Sequence, residues 1–142
     1  MPANAAIYIQ EDKINLADIF ESVKCNKGLF KKPSYFDVRL NDDIVRFNVM
    51  PSGEVPDHIN GFLGYIASLD QDENRKKDTA HAISHTKIVL GLVTNKEFDE
   101  NHAIWQSLFE IASKYNGFVF AYGSVLLPSG TVLVGPLLDQ GT

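Results

Sequence analysis

Two apolar runs separated by a helical pattern decide the fold of this chain: Lys87-Ile-Val-Leu-Gly-Leu-Val93 and Phe118-Val-Phe-Ala-Tyr122. Both runs lack polar alternation, which is typical of strands buried on two faces. Between them, apolar residues recur at helical spacing from Ile104 to Tyr115, and Asn116-Gly117 provides a helix stop. The pattern predicts a strand, a crossover helix and a second strand parallel to the first.

The remaining sequence predicts further elements around this unit. They are, in order, a strand over 5–10, a helix over 15–25, a hairpin over 35–50, helices over 57–69 and 72–85, and a hairpin over 125–134. This order predicts an α+β fold in a single domain, residues 1–142. We expect a two-layer sandwich, in which helices cover one face of a mixed β-sheet in an elaborated ferredoxin-like or split β-α-β arrangement.

Composition limits the classes of partner. The 18 acidic and 13 basic residues give a net charge of −5, so the chain offers no basic face to nucleic acid. Cys25 is the only cysteine, which excludes an internal disulfide. The first ten residues lack the pattern of a secretory signal, and no apolar run approaches the roughly 20 residues of a membrane helix. We therefore expect a cytoplasmic protein without nucleic-acid or membrane partners.

His81 and His85 raise the question of a metal site. Their spacing of four places both imidazoles on one helix face, where they could supply two ligands. However, residue 82 is alanine where a metalloprotease helix carries its glutamate, and no third ligand is evident. The alternative is that both histidines are ordinary helix residues, with His85 favoured by the helix dipole. We expect neither a metal nor another cofactor.

Two other residues are candidate nucleophiles. Ser124 follows a buried strand, but the nucleophile elbow needs glycine two residues to either side, where Tyr122 and Leu126 stand. Cys25 has a lysine beside it, yet it ends a predicted helix, whose dipole opposes a thiolate. No glycine-rich phosphate loop opens a helix. The sequence thus predicts no catalytic residues and favours a protein that is not an enzyme.

Acidic residues gather in the connections between elements. Asp42 and Asp43 lie between two strands, and Asp70, Asp72 and Glu73 lie between two helices. Solvation and helix capping explain such residues in most proteins. The alternative is that these five form one rim that meets a basic protein partner. We predict them as the partner-binding residues.

The run Ala80-His-Ala-Ile-Ser-His-Thr-Lys-Ile-Val-Leu-Gly-Leu-Val93, with the run from Trp105 to Tyr122, resembles a family of small bacterial α+β proteins, some of which are similar to immunity proteins of toxin systems. The resemblance is limited to these two runs and transfers no catalytic residue. It implies a protein that neutralises a bacterial toxin, such as a basic toxin domain, by a stoichiometric complex.

Two alternatives belong to other classes. One is a small metal-dependent enzyme that uses His81 and His85. The other is a ligand-sensing or oligomerising module, such as a homodimer, with the helix from Gly61 to Leu69 as its contact surface. A neighbouring gene for a large secreted effector would favour an immunity protein over both.

Overall fold

The computed structural model describes residues 3–26 and 32–140, which form an eight-stranded sheet with four α-helices. The strands are β1 (Ala5–Ile9), β2 (Val23–Cys25), β3 (Tyr35–Leu40), β4 (Asp43–Val49), β5 (Ile88–Val93), β6 (Gly117–Ala121), β7 (Ser124–Leu126) and β8 (Val132–Val134). The helices are α1 (Val55–Ser68), α2 (Glu73–Ile83), α3 (His102–Lys114) and α4 (Pro136–Gln140). The α+β class is confirmed. None of the described helices is long and apolar enough to cross a membrane.

The first strand of the chain lies in the interior of the sheet, whose order is β2-β3-β4-β5-β1-β6-β7-β8. β1 pairs antiparallel with both β5 and β6. The two strands joined by α3 therefore run in the same direction, as the sequence predicts, but β1 separates them. Where we expected a mixed sheet, every pairing between described strands is antiparallel.

Helices pack on both faces of this sheet, which corrects the prediction of a single covered face. Ile7 and Ile9 belong to the core beneath α3, whereas Tyr8 belongs to the core beneath α1 and α2. All three side chains are at most 2% exposed. Because neighbouring residues of a strand point to opposite faces, a strand that is apolar on both sides needs a cover on each. The molecule consequently has three layers.

The predicted helix over 15–25 is wrong. A single 3-10 turn, Leu16–Asp18, follows Asn15, whose side chain accepts a hydrogen bond from the Ala17 amide. The chain then enters β2, which pairs with β3. An isolated helix of this length is marginal in water, and the strand pairing supplies the backbone bonds instead. The hairpin of β3 and β4 and the terminal hairpin of β7 and β8 are confirmed.

The cover on the α1–α2 face is incomplete. The buried residues of this face come from α1, α2, β1, β5, β7 and β8. Over β3, β4 and the end of β5, the same face exposes Ile44, Arg46 and Val93. A stretch of sheet therefore lies open beside α1.

Candidate docking surface at the Tyr122 end of the sheet

Several connections of the fold meet at one end of the sheet. They are the β3–β4 turn, the β5–α3 loop, the start of β1, the β6–β7 turn and the α1–α2 connection. Register and side-chain bonds place them together: Ala5 pairs with Ala121, Arg46 pairs with Val93, and the Gln71 side chain bonds Gly135. We call this the Tyr122 end. The opposite end, where β1 and α2 finish, is the Gln10 end, because Gln10 bonds the Ala82 carbonyl there.

Tyr122 adopts an unusual backbone conformation at this end. It forms the two-residue β6–β7 turn with Gly123, and their φ angles are +53° and +75°. A turn with two positive φ angles favours asparagine or glycine at its first position. The other two described non-glycine residues with positive φ are Asn41 and Asn116. A tyrosine in this conformation is strained, by about 1 kcal/mol.

Contacts from α1 and its connection to α2 fix this turn. The Tyr65 hydroxyl donates to the Gly123 carbonyl at 2.6 Å. The Gln71 side chain both donates to and accepts from the Gly135 backbone, at 2.7 Å in each case. Gly135 has φ +114°, and a Cβ there would lie 2.7 Å from the Gly123 carbonyl oxygen. Only glycine fits this position.

The Tyr122 ring belongs to an aromatic patch formed by Phe98, Trp105, Phe109 and Tyr122. The ring centroids of Phe98 and Trp105 are 4.9 Å apart, and those of Trp105 and Phe109 are 5.0 Å apart. Tyr122 lies 5.8 Å from Phe98 and 5.9 Å from Trp105. Phe98 is buried, Trp105 and Phe109 are half-buried, and Tyr122 is 60% exposed. The helical spacing of Trp105 and Phe109 predicts that both lie in the core, but the structure places both partly at the surface.

A cleft of about 610 Å³ lies beside the patch, and we call it the Tyr122 cleft. Phe98 and Tyr122 line it together with Phe120 and the first residues of β1. The carboxyl-bearing residues Glu97 and Asp99 also line it, whereas none of its described lining residues is lysine or arginine. The cleft is thus both aromatic and acidic.

Asp42 and Asp43 lie at the Tyr122 end, on the side of β3 and β4. The Asp43 carboxylate accepts a hydrogen bond of 2.9 Å from Asn101, which also donates to the Leu40 carbonyl at 2.8 Å. Asn101 in addition accepts the Ala103 amide as the N-cap of α3. The β3–β4 turn is therefore tied to the start of α3, and Asp42 is left exposed.

Asp70, Asp72 and Glu73 lie at the same end, beside β8. Asp72 is the N-cap of α2 and accepts the Arg75 amide at 3.0 Å, while Glu73 pairs with Lys76 at 3.0 Å. The two acidic groups share one end of the molecule but stand on opposite sides of the Tyr122 cleft. From β4 to β8 there are five strand spacings, or about 24 Å at about 4.8 Å each. They could contact one partner only across a broad surface.

The other candidate residues lie elsewhere. His81 and His85 are exposed near the Gln10 end, with their Nε2 atoms 3.4 Å apart. Within residues 3–26 and 32–140, no three His, Cys, Asp or Glu side chains are grouped to hold a metal ion. Ser124 is buried, and its hydroxyl accepts the Leu137 amide at 2.9 Å. Cys25 is exposed on the outermost strand, β2.

Sequence reasoning missed Tyr122 as a candidate site residue. The available signal was the dipeptide Tyr122-Gly123 between two apolar runs, which is a hairpin-turn pattern with tyrosine in place of asparagine. The patch and cleft offer aromatic contact and negative charge, which suit the binding of a cationic surface. Comparison with protein-family models, curated proteins and solved structures yields no significant match.

Proposed function

We propose that this chain is a non-enzymatic binding module that docks a basic protein at its Tyr122 end. The observation that carries the proposal is the exposed Tyr122 ring, held on a strained turn beside Phe98 and Trp105. A large ring in a conformation that favours asparagine weakens the fold. Such strain at an exposed residue points to a role other than stability. Tyrosine and tryptophan are also the residues that most often dominate binding energy at protein interfaces.

Charge supports a basic partner. The Tyr122 cleft contains Glu97 and Asp99, with Asp42 to one side and Asp70 to the other. Such a field speeds encounter with a positively charged surface and disfavours acidic partners. The aromatic patch would then supply the contacts that slow dissociation.

The most concrete form of this function is toxin neutralisation. An immunity protein of this kind would occlude a basic toxin domain in the cytoplasm by forming a stoichiometric complex. The resemblance of residues 80–93 and 105–122 to immunity-like proteins supports this form. The β5–α3–β6 unit around β1 also supports a split β-α-β, ferredoxin-like relationship.

No comparable observation supports the two alternative functions, a metal-dependent enzyme and a ligand-sensing or oligomerising module. The His81–His85 pair has no third ligand among the described residues. On α1, a Cβ at Gly61 or Gly64 would meet nothing within 4 Å, so neither glycine serves close packing inside the described chain. A homodimer through α1 stays a proposal for that surface.

The test is recovery of a partner from the native organism with three tagged proteins in parallel. The wild type and the Asp12→Asn, Asp57→Asn variant should recover the same basic protein in a one-to-one complex. Asp12 and Asp57 lie outside the Tyr122 end, so this variant tests whether surface substitutions elsewhere affect recovery of the partner. Tyr122→Asn should lose the partner. Equal recovery by all three proteins would refute docking at the Tyr122 end, and a partner without toxic activity would refute the immunity role alone.

A further inference from the structure

A second cleft lies on the open half of the α1–α2 face, and from it we infer a binding site for an unphosphorylated purine nucleoside. The cleft measures about 610 Å³, within the range of small-molecule sites, and we call it the Gly91 cleft. Its lining includes Ala6, Gly91, Asn48, Tyr35 and His58. The inference does not depend on the proposed function.

The floor of the Gly91 cleft is formed by small and polar residues of neighbouring strands. Ala6, Gly91 and Asn48 stand side by side on β1, β5 and β4 in regular register, and Asn48 pairs with Tyr35 on β3. A Cβ at Gly91 would meet nothing within 4 Å, so packing does not require glycine. Glycine inside a strand lowers stability and often marks a site where a ligand approaches the backbone. A planar ring could lie on this floor.

His58 stands at the wall of the cleft with its ring fixed from behind. Its Nε2 lies 3.0 Å from the buried Tyr8 hydroxyl, and Tyr8 stacks on Phe62 with centroids 4.6 Å apart. Burial raises the pKa of Tyr8, so its hydroxyl stays protonated and forms a hydrogen bond with Nε2. This contact holds the imidazole ring in place and leaves Nδ1 without a partner among the described residues, so Nδ1 is the ring nitrogen available to a ligand.

The polar lining indicates the ligand class. Asn4, Asn48 and Glu54 are exposed residues that line the cleft, and their side chains have no hydrogen-bond partner among the described residues, so they are free to bond a ligand. A side-chain amide can pair with both the amino group and N7 of adenine. No described lining residue is lysine or arginine, and nearby Arg46 is held by Asp37 through bonds of 2.8 and 3.0 Å. A phosphate group would therefore meet Glu54 without a compensating cation.

The experiment titrates the full chain with adenosine and with adenosine monophosphate, monitored by calorimetry and by saturation-transfer NMR. We expect adenosine to bind and the monophosphate to bind at least tenfold more weakly. Gly91→Val should abolish adenosine binding by filling the floor, while β-branched valine suits a strand. A thermal melt confirms that this variant is folded. Asn48→Ala, which leaves the floor open, should weaken binding about tenfold, and Tyr122→Asn should leave binding unchanged.

Absence of adenosine binding to the wild type would overturn the inference. Stronger binding of the monophosphate would also overturn it, because a phosphate site would be present instead. The same holds if folded Gly91→Val and Asn48→Ala both bind adenosine as the wild type does. None of these outcomes bears on docking at the Tyr122 end, because that surface is assayed with the protein partner.

Discussion

Single residues carry most of what is specific to this protein, and Tyr8 shows how burial gives a polar side chain a measurable property. Tyr8 lies in the apolar run of β1 and is 2% exposed, with His58 as its hydrogen-bond partner. The sequence predicted the strand correctly, because a short continuous apolar run is a local signal. It could not indicate His58, which stands fifty residues away and meets Tyr8 only through the packing of α1.

The buried Tyr8 should make the protein less stable in alkali. Burial raises the pKa of Tyr8 above its ordinary value of about 10, because the phenolate would lose hydration. Above about pH 10 the unfolded chain releases this proton and the native chain keeps it, so the free energy of unfolding falls as pH rises, by up to about 1.4 kcal/mol per pH unit. Urea unfolding of the wild type and of Tyr8→Phe between pH 8 and 11 would measure this. An identical slope in both proteins above pH 10 would contradict it.

At the scale of elements, the connection between α1 and α2 departs most from its sequence pattern. The charged stretch 70–78 predicts a solvated segment, yet Lys76 is only 7% exposed. Its Nζ donates to the carbonyls of Ala67 at 3.0 Å and Leu69 at 2.9 Å, at the end of α1. A lysine that caps the preceding helix is invisible to periodicity, since the contact depends on the angle between two helices.

Replacing Lys76 should destabilise the fold. Lys76→Met keeps the length of the side chain but leaves the last carbonyls of α1 without their charged donor, and we expect a loss of about 2 kcal/mol. Lys77→Met is the matched control, because Lys77 is exposed and the change in net charge is the same. Urea unfolding of both variants gives the comparison. Equal stability of the two variants would show that the Lys76 hydrogen bonds contribute nothing.

Longer elements were easier to predict than their assembly. The helix pattern before Tyr115 and both hairpins follow from periodicity and turn residues, and the structure has them. The helix expected over 15–25 failed because four apolar residues at helical spacing also suit a turn followed by an edge strand. Pairing with β3 decided between the two conformations, and a single segment carries no information about its partner.

At the scale of the whole molecule, the position of β1 determines the rest. By pairing with β5 and β6, the first strand makes the sheet antiparallel, and its two apolar faces require helices on both sides. Sequence order does not reveal such an insertion. The insertion of β1 also brings Asp42, Asp70 and Tyr122, which are distant in sequence, to one end of the sheet. The sequence could therefore indicate the parts of the docking surface but not their assembly.

Charge at the Tyr122 end should control the rate of association with the protein partner. Asp42 and Asp70 are exposed and have no partner among the described residues, whereas Asp43, Asp72 and Glu73 bond Asn101, Arg75 and Lys76. Asp42→Asn with Asp70→Asn should therefore slow association about three- to tenfold at low salt and reduce its salt dependence, with little change in dissociation. Stopped-flow kinetics with the recovered partner would measure both rates. The Asp12→Asn, Asp57→Asn control should associate like the wild type, and equal slowing of the two variants would mean that only net charge matters.

The measurement that tests the central claim most directly compares stability with affinity in Tyr122→Asn. Asparagine relieves the backbone strain, by about 1 kcal/mol, which offsets the weaker packing left when a mostly exposed ring is removed. We expect the free energy of unfolding to stay within about 1 kcal/mol of the wild type or to rise, while the Kd for the partner increases at least about tenfold. A variant that binds the partner as tightly as the wild type, or that loses binding only because it is unfolded, would contradict the assignment of Tyr122 to the docking surface.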